Sequence, residues 1–160
     1  MPHINLICVG GLKEDYWKTA CAEYIKRMSP WSKINVVELP EERLPNNPSA
    51  ANINAALDAE GQRIFAKLPA KAYLVAMCIE GKQSSSQIFA QTLSNVMSSL
   101  NGTICYVIGG SHGLSSQVKE RANDMLSLSQ MTFPHMLARV LLLEQLYRSL
   151  SILNGGRYHK

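Results

Sequence analysis

Residues 103–113 decide the fold, and they read TICYVIGGSHG. The first part of this stretch, Thr103–Ile108, is rich in β-branched and aromatic side chains, which predicts a buried strand. The glycines that follow allow the backbone to turn sharply and to approach a neighbouring segment closely. An apolar strand that ends in a glycine-rich bend is typical of a parallel sheet covered by helices on both faces.

Patterns typical of strands and helices alternate along the rest of the chain. The other predicted strands are Ile4–Val9, Ile34–Leu39, Tyr73–Ile79 and Met125–Ser129. Apolar residues recur at helical spacing around Trp17–Met28, Ile53–Leu68, Phe89–Val96, Ser116–Asn123 and His135–Leu153. This alternation predicts an α/β fold with a parallel sheet and helices on both faces. No repeat or linker interrupts the pattern, so we expect one domain over residues 1–160.

The composition is that of an ordinary globular protein, with 46% hydrophobic and 18% charged residues among 160. No apolar run approaches the roughly 18–20 residues that span a bilayer, and the first residues lack the features of a signal peptide. We therefore expect a cytoplasmic protein without a membrane segment.

The cysteines and histidines do not form a recognisable metal motif. Cys8, Cys21, Cys78 and Cys105 make no CxxC pair, and the four histidines lack the spacing of metal ligands. The pattern predicts reduced cysteines that pack as small hydrophobic residues, and no metal site.

The net charge of +4 is distributed unevenly. Residues 61–90 and residues 131–160 each carry a net charge of +3, whereas residues 31–60 carry −3. The basic segments could attract a polyanion such as nucleic acid, or they could simply form solvated charged faces.

Three predicted strand ends are candidate binding segments, because ligands of parallel α/β sheets bind beyond the carboxyl ends of strands. These segments are Ile79–Lys82, Gly109–Gly113 and Ser129–Pro134. The glycine segment is not GxGxxG, and no GxxxxGK[ST] loop is present, which argues against a pyrophosphate cofactor. Ser111 and His112 lie outside any GxSxG elbow, so hydrolysis is not favoured.

The last predicted helix has more apolar residues than one buried face requires. Besides its main apolar stripe it carries Leu137, Leu141 and Ile152 on the opposite side. A second subunit would cover them, although scattered exposed apolar residues are common. Arg139 lies inside the main stripe and, if buried, needs a carboxylate, a carbonyl or a ligand.

The chain ends in a polar tail, Arg157-Tyr158-His159-Lys160, which follows two glycines. A frayed terminus is one interpretation. The other is a contact with RNA, since an aromatic ring can stack on a base while cations hold a phosphate.

Several segments together resemble the RlmH (YbeA-type) branch of the SPOUT methyltransferases. They are ICVGGLKEDYWKTACAEYIKRMSPW at 7–31, EGQRI at 60–64, IEGKQSSS at 79–86, VIGGSHGL at 107–114, LSLSQMTFPH at 126–135, ARVLLLEQLYRS at 138–149 and the terminal YHK. The resemblance covers essentially the whole chain and is weakest in the loop after Pro40. It implies a C-terminal trefoil knot, which pattern reasoning alone would have rejected as too rare.

The resemblance also implies S-adenosylmethionine as the cofactor, bound in the knot. The positions that carry over are Met77, where the family usually has leucine, together with Gly109, Leu128, Ser129, Gln130, Met131, Thr132 and Phe133. They coincide with the strand ends singled out above. Gln87 stands where many relatives have glutamate, which leaves open any carboxylate role at that position.

The implied activity is methylation of N3 of a pseudouridine in helix 69 of 23S ribosomal RNA, on the assembled ribosome. The family acts as a homodimer in which the tail of one subunit reaches the cofactor of the other. We expect His159, helped by Arg157 and Lys160, to favour the N3 anion or to relay its proton, and Tyr158 to stack on the base. The competing interpretations are a non-enzymatic ribosome-binding or assembly factor and a flavodoxin-like sensor of small molecules.

Overall fold

The computed structural model describes residues 1–160, in which five strands alternate with five helices. The strands are β1 (His3–Val9), β2 (Lys33–Leu39), β3 (Ala72–Lys82), β4 (Thr103–Ile108) and β5 (Asp124–Leu126). The helices are α1 (Asp15–Met28), α2 (Ala50–Lys67), α3 (Ser86–Ser99), α4 (Ser116–Arg121) and α5 (His135–Leu153).

All five strands belong to one parallel sheet with the order β2-β1-β4-β3-β5. The central strands β1 and β4 are almost entirely buried, which explains why their sequences are apolar throughout. Leu6 of β1, for example, pairs with Val36 on one side and with Tyr106 on the other. The predicted α/β fold is confirmed, and the trefoil knot stays a prediction.

Helices cover both faces of the sheet. One core cluster joins the sheet to α1, α3 and α5, and the other joins it to α2 and to Val118 of α4. α5 lies between α1 and α3, and its Leu142, Leu143 and Leu146 are fully buried. Contact with the sheet below and with a helix on either side buries the main apolar stripe, whereas Leu137, Leu141 and Ile152 are only half-buried.

The structure corrects the predicted end of β3. This strand continues to Lys82, beyond the predicted end at Ile79, and both Met77 and Lys82 pair with Leu126 across a register shift. Gly81 permits this path, because a Cβ at Gly81 would lie 2.7 Å from the carbonyl carbon of Leu126.

β5 and α4 are shorter than predicted. β5 ends at Leu126 rather than at Ser129, and the N–H of Ser127 donates to the Lys82 carbonyl (3.0 Å) as part of the last pairing with β3. α4 ends at Arg121 because Asn123 pairs with β3: its N–H donates to the Leu74 carbonyl, and its Oδ1 accepts from the Leu74 N–H.

The four cysteines form no disulfide, and three of them, Cys8, Cys21 and Cys105, are buried. None of the helices combines the length and the apolar character that crossing a bilayer requires.

Candidate cofactor and catalytic site

The ends of three neighbouring strands meet at one level of the sheet. Met77 of β3 pairs with Ile108 of β4 and with Leu126 of β5. Gly109 follows Ile108 directly, and residues 127–134 follow Leu126. The register therefore brings the beginnings of the predicted cofactor segments together at one edge, as expected from a parallel sheet.

The bend after β4 is tight and depends on glycine. Gly109 is buried, and a Cβ there would collide with the carbonyl oxygen of Gly113. The N–H of Gly113 donates to the Gly110 carbonyl (3.1 Å), and Gly113 has a φ of +83°. A backbone folded this closely leaves bare peptide groups at the edge, where a ligand can approach them.

The segment 128–133 keeps most of its backbone donors free. Met131 alone donates its N–H within the chain, to Oγ of Ser129 (3.0 Å), while Oγ of Ser127 donates to the Ser129 carbonyl (2.9 Å). Leu128 and Phe133 are half-buried, and Gln130, Met131 and Thr132 between them are exposed. Free N–H groups beside apolar side chains suit a ligand with both a polar and an aromatic part.

The C-terminal tail does not fray but folds back on α5 of its own chain. The Tyr158 hydroxyl donates to Oε2 of Glu144 (2.9 Å). Its ring packs against that of Tyr147, with centroids 4.6 Å apart, and the Arg148 guanidinium lies over it at 4.6 Å. These contacts combine an aromatic pair, a cation–π contact and a charge-assisted hydrogen bond.

His159 is held between α5 and α3. Its Nδ1 lies 3.3 Å from an Arg148 nitrogen, and its Nε2 lies 3.0 Å from the side-chain nitrogen of Gln87. Because arginine can only donate, Nδ1 accepts in the contact with Arg148. Gln87 therefore contacts the tail through its side-chain amide, and no carboxylate takes part in this contact.

The two predicted sets of residues remain separate within one chain. No hydrogen bond joins the tail to Met77, Gly109 or residues 128–133. Arg157 and Lys160 are exposed and form no ion pair or side-chain hydrogen bond within the chain. The cations thus remain available to an external anion.

Glu144 organises the tail, although its sequence context did not mark it as a site residue. Burial pushes the pKa of its carboxyl upward, but hydrogen bonds from Tyr24, Tyr158 and Arg148 outweigh that effect and leave the pKa below its ordinary value. The same carboxylate raises the pKa of Tyr158, which remains a hydrogen-bond donor at neutral pH. The only sequence signal was a Glu144–Arg148 pair one helical turn apart.

Arg139 is buried and finds two of the partners predicted for it from the sequence. It donates to Oε2 of Glu38 (2.9 Å) and to the Gly10 carbonyl (3.1 Å), so it fastens α5 to the ends of β2 and β1. The ring of His135 lies against Gly10, where a Cβ would be 3.1 Å from its Cε1. These contacts fix the start of α5, at which the segment from β5 ends.

The fold is similar to those of two solved structures. A probable methyltransferase from Bordetella pertussis Tohama I superposes with a TM-score of 0.56 at 15% identity, covering 93% of this chain and 95% of that chain. A probable methylase family protein from Haemophilus influenzae Rd KW20 gives a TM-score of 0.54 at 13% identity, covering 99% of this chain and 70% of that chain. At these identities the likeness concerns the fold alone.

A family model described as "Predicted SPOUT methyltransferase" matches residues 2–159. The match includes the three strand ends, α5 and all of the tail except Lys160. The chain belongs to the SPOUT methyltransferase family.

Proposed function

We propose that the chain methylates N3 of a pseudouridine in helix 69 of 23S ribosomal RNA, as its resemblance to the RlmH branch implies, with S-adenosylmethionine as the methyl donor. Its family is one of methyltransferases. The observation that carries the proposal is the shared register of Met77, Ile108 and Leu126, which gathers three strand ends into one candidate site.

The residues at this edge fit the cofactor that SPOUT methyltransferases generally use. The free N–H groups of residues 128–133 would bind polar atoms of an adenosyl group, and Met77, Leu128 and Phe133 supply apolar surface. The absence of a side chain at Gly109 lets the bend close against Gly113 and so sets the shape of this edge. When bound, S-adenosylmethionine supplies a methyl group made electrophilic by the sulfonium.

The protein's own task is to position the base and to accommodate the charge left when the N3 proton departs. Positioning alone can lower a barrier by about 7–11 kcal/mol. Because Arg148 occupies Nδ1 of His159, Nε2, on the side of Gln87, is the ring nitrogen left to interact with a developing anion or its proton. Arg157 and Lys160 add positive charge, and Tyr158 offers its ring to the base.

We propose that the complete site needs two copies of the chain. Within one chain no hydrogen bond connects the tail with the cofactor segments. Leu137, Leu141 and Ile152 remain only half-buried on α5 and supply apolar surface for a partner. A homodimer would bring the tail of one subunit to the strand ends of the other.

The test is transfer of a labelled methyl group to intact ribosomes, isolated large subunits and naked ribosomal RNA, followed by mapping of the modified nucleotide. We expect label at a pseudouridine of helix 69, with intact ribosomes as the best substrate. Label at another nucleotide, or equal transfer to naked RNA, would contradict the proposed substrate.

Calorimetry with S-adenosylmethionine tests the cofactor separately. An assembly factor that works without catalysis has no need of this cofactor, so absence of binding by a folded protein would favour that second interpretation. Binding without transfer to any ribosomal substrate would leave a methyltransferase with a different acceptor.

A further inference from the structure

A cavity of about 140 Å3 lies between α3 and the strands β3, β4 and β5. Its walls are formed by buried apolar and aromatic side chains, namely Val75, Phe89, Leu93, Ile104 and Tyr106. Of the lining residues, Lys82 and Leu126 lie at the strand ends beside the predicted cofactor positions, and none lies in the C-terminal tail. The cavity therefore adjoins the candidate methyl-transfer site at these two residues and extends from there along α3.

Tyr106 lines the cavity with a hydroxyl that has no hydrogen-bond partner within the chain. The residue as a whole is only 3% exposed. Burial raises the pKa of this hydroxyl, and the charge of Asp124 raises it further, so the group remains a donor at neutral pH. The hydroxyl is not among the fully enclosed unpaired atoms of the chain, so it keeps an accessible side and can donate to a ligand in the cavity.

Asp124 places an acceptor beside that donor. Its Oδ1 accepts the N–H of Met125 (2.9 Å), and its other oxygen has no donor within the chain. Lys82, which also lines the cavity, is exposed and forms no ion pair. The lining thus combines apolar walls, one donor, one acceptor and a free cation.

We propose that this cavity binds a single heteroaromatic ring of pyrimidine size, with a hydrogen-bond acceptor next to a donor on its edge. Apolar cavities of about 150 Å3 accept a benzene ring, which has the size of a pyrimidine. The Tyr106 hydroxyl would donate to a ring carbonyl or ring nitrogen, and Asp124 would accept from the adjacent N–H. Phe89 and Tyr106, whose rings lie 6.2 Å apart at 59°, offer aromatic surface.

The first test is titration of the full-length protein with uridine and cytidine, followed by NMR, with toluene as a ligand that lacks hydrogen-bonding atoms. We expect the nucleosides to bind and to shift signals of Phe89 and Tyr106, and toluene to bind more weakly. Tyr106→Phe should weaken nucleoside binding about tenfold, the effect of one hydrogen bond. Absence of nucleoside binding at millimolar concentration, or equal binding of toluene, would overturn the proposal.

Two tryptophan variants on α3 test whether the nucleoside binds in this cavity. Thr92 lines the cavity, and its exposed neighbour Gln91 does not. Thr92→Trp should abolish nucleoside binding, whereas Gln91→Trp should leave it unchanged. Nucleoside binding that survives Thr92→Trp, or that S-adenosylmethionine displaces competitively, would show that the ring binds elsewhere.

The same ring could come from a free nucleoside or from single-stranded RNA. A short oligouridine distinguishes the two sources, because only the oligomer offers several phosphates to Lys82. Tighter binding of the oligomer than of uridine, lost in Lys82→Gln, would identify an RNA base as the occupant. Equal affinities, unaffected by Lys82→Gln, would identify the free nucleoside.

Discussion

Arg139 of α5 donates a hydrogen bond of 2.9 Å to Glu38 at the end of β2, although 101 positions separate the two residues. The arginine side chain is only 3% exposed, whereas that of the glutamate is 47% exposed. A second guanidinium nitrogen reaches the carbonyl of Gly10. One side chain therefore fastens the last helix to the ends of two strands.

Replacement of Arg139 by alanine should destabilise the fold. Loss of one partner from a fully buried ion pair costs about 3–5 kcal/mol, but Glu38 keeps contact with water, so we expect about 2 kcal/mol. For a chain of this length that lowers the melting temperature by about 4–8 °C. Arg43→Ala, at an exposed position without a side-chain hydrogen bond, is the control. An unchanged melting temperature for Arg139→Ala would contradict the structural role.

Deletion of residues 157–160 should abolish methyl transfer and spare cofactor binding. The tail holds Tyr158 and His159, while the candidate cofactor segments make no hydrogen bond to it within one chain. Activity is measured with labelled cofactor, and binding by calorimetry. Arg43→Ala, at an exposed position outside the tail and the cofactor segments, should leave the activity unchanged and serves as the control. Normal turnover by the deletion variant would refute a catalytic tail.

Glu144→Gln should loosen the tail and change the acid stability of the protein. The pKa of Glu144 is lower in the folded chain than in the unfolded one, so its carboxylate stabilises the fold above an ordinary pKa of about 4.3. That contribution disappears as the pH falls through the lowered folded value. The variant should be less stable than the native chain at pH 7, and the difference should shrink in acid.

Urea unfolding at neutral and acid pH measures this effect, and NMR of the Tyr158 ring reports on the tail. Glu23→Gln is the matched control, because Glu23 forms an exposed pair with Arg27 at the same helical spacing. If the stability difference between Glu144→Gln and the native chain did not depend on pH, the carboxylate would not stabilise the fold through a lowered pKa.

Gly109→Ala should weaken the binding of S-adenosylmethionine by tenfold or more. The added methyl group would collide with the Gly113 carbonyl oxygen and open the bend after β4. Gly11→Ala provides a control, since the nearest atom to a Cβ there is Oε2 of Glu38, at an ordinary 3.5 Å. Calorimetry with both variants makes the comparison, and equal affinities would argue against a cofactor site at Gly109.

Hydrophobic periodicity was a good guide to most elements of the fold. The boundaries of β4 and α5 agree with the structure because their apolar residues end abruptly at glycine or proline. The extension of β3 was missed because Gly81 is typical of a turn in the sequence, whereas it serves a close backbone contact. The order of the strands depends on long-range pairing, which periodicity does not report.

The candidate site was only partly accessible to sequence reasoning. Parallel strands predict that their carboxyl ends share an edge, and the pairing of Met77 with Ile108 and Leu126 agrees with this expectation. The position of the tail could not be predicted, because it depends on contacts from Glu144, Arg148 and Gln87 that lie on two different helices. In the sequence, polar helix residues that bind another segment of the chain cannot be distinguished from polar helix residues that face only solvent.

The central place of α5 between α1 and α3 has a consequence for biosynthesis. This helix follows all five strands in the chain, yet its Leu142, Leu143, Leu146 and Leu150 belong to one core cluster. Until these residues leave the exit tunnel, one side of the nascent sheet has no cover and is exposed to chaperones or to aggregation. The sheet therefore cannot complete its folding before α5 has been synthesised, and chains truncated upstream of α5 should be insoluble.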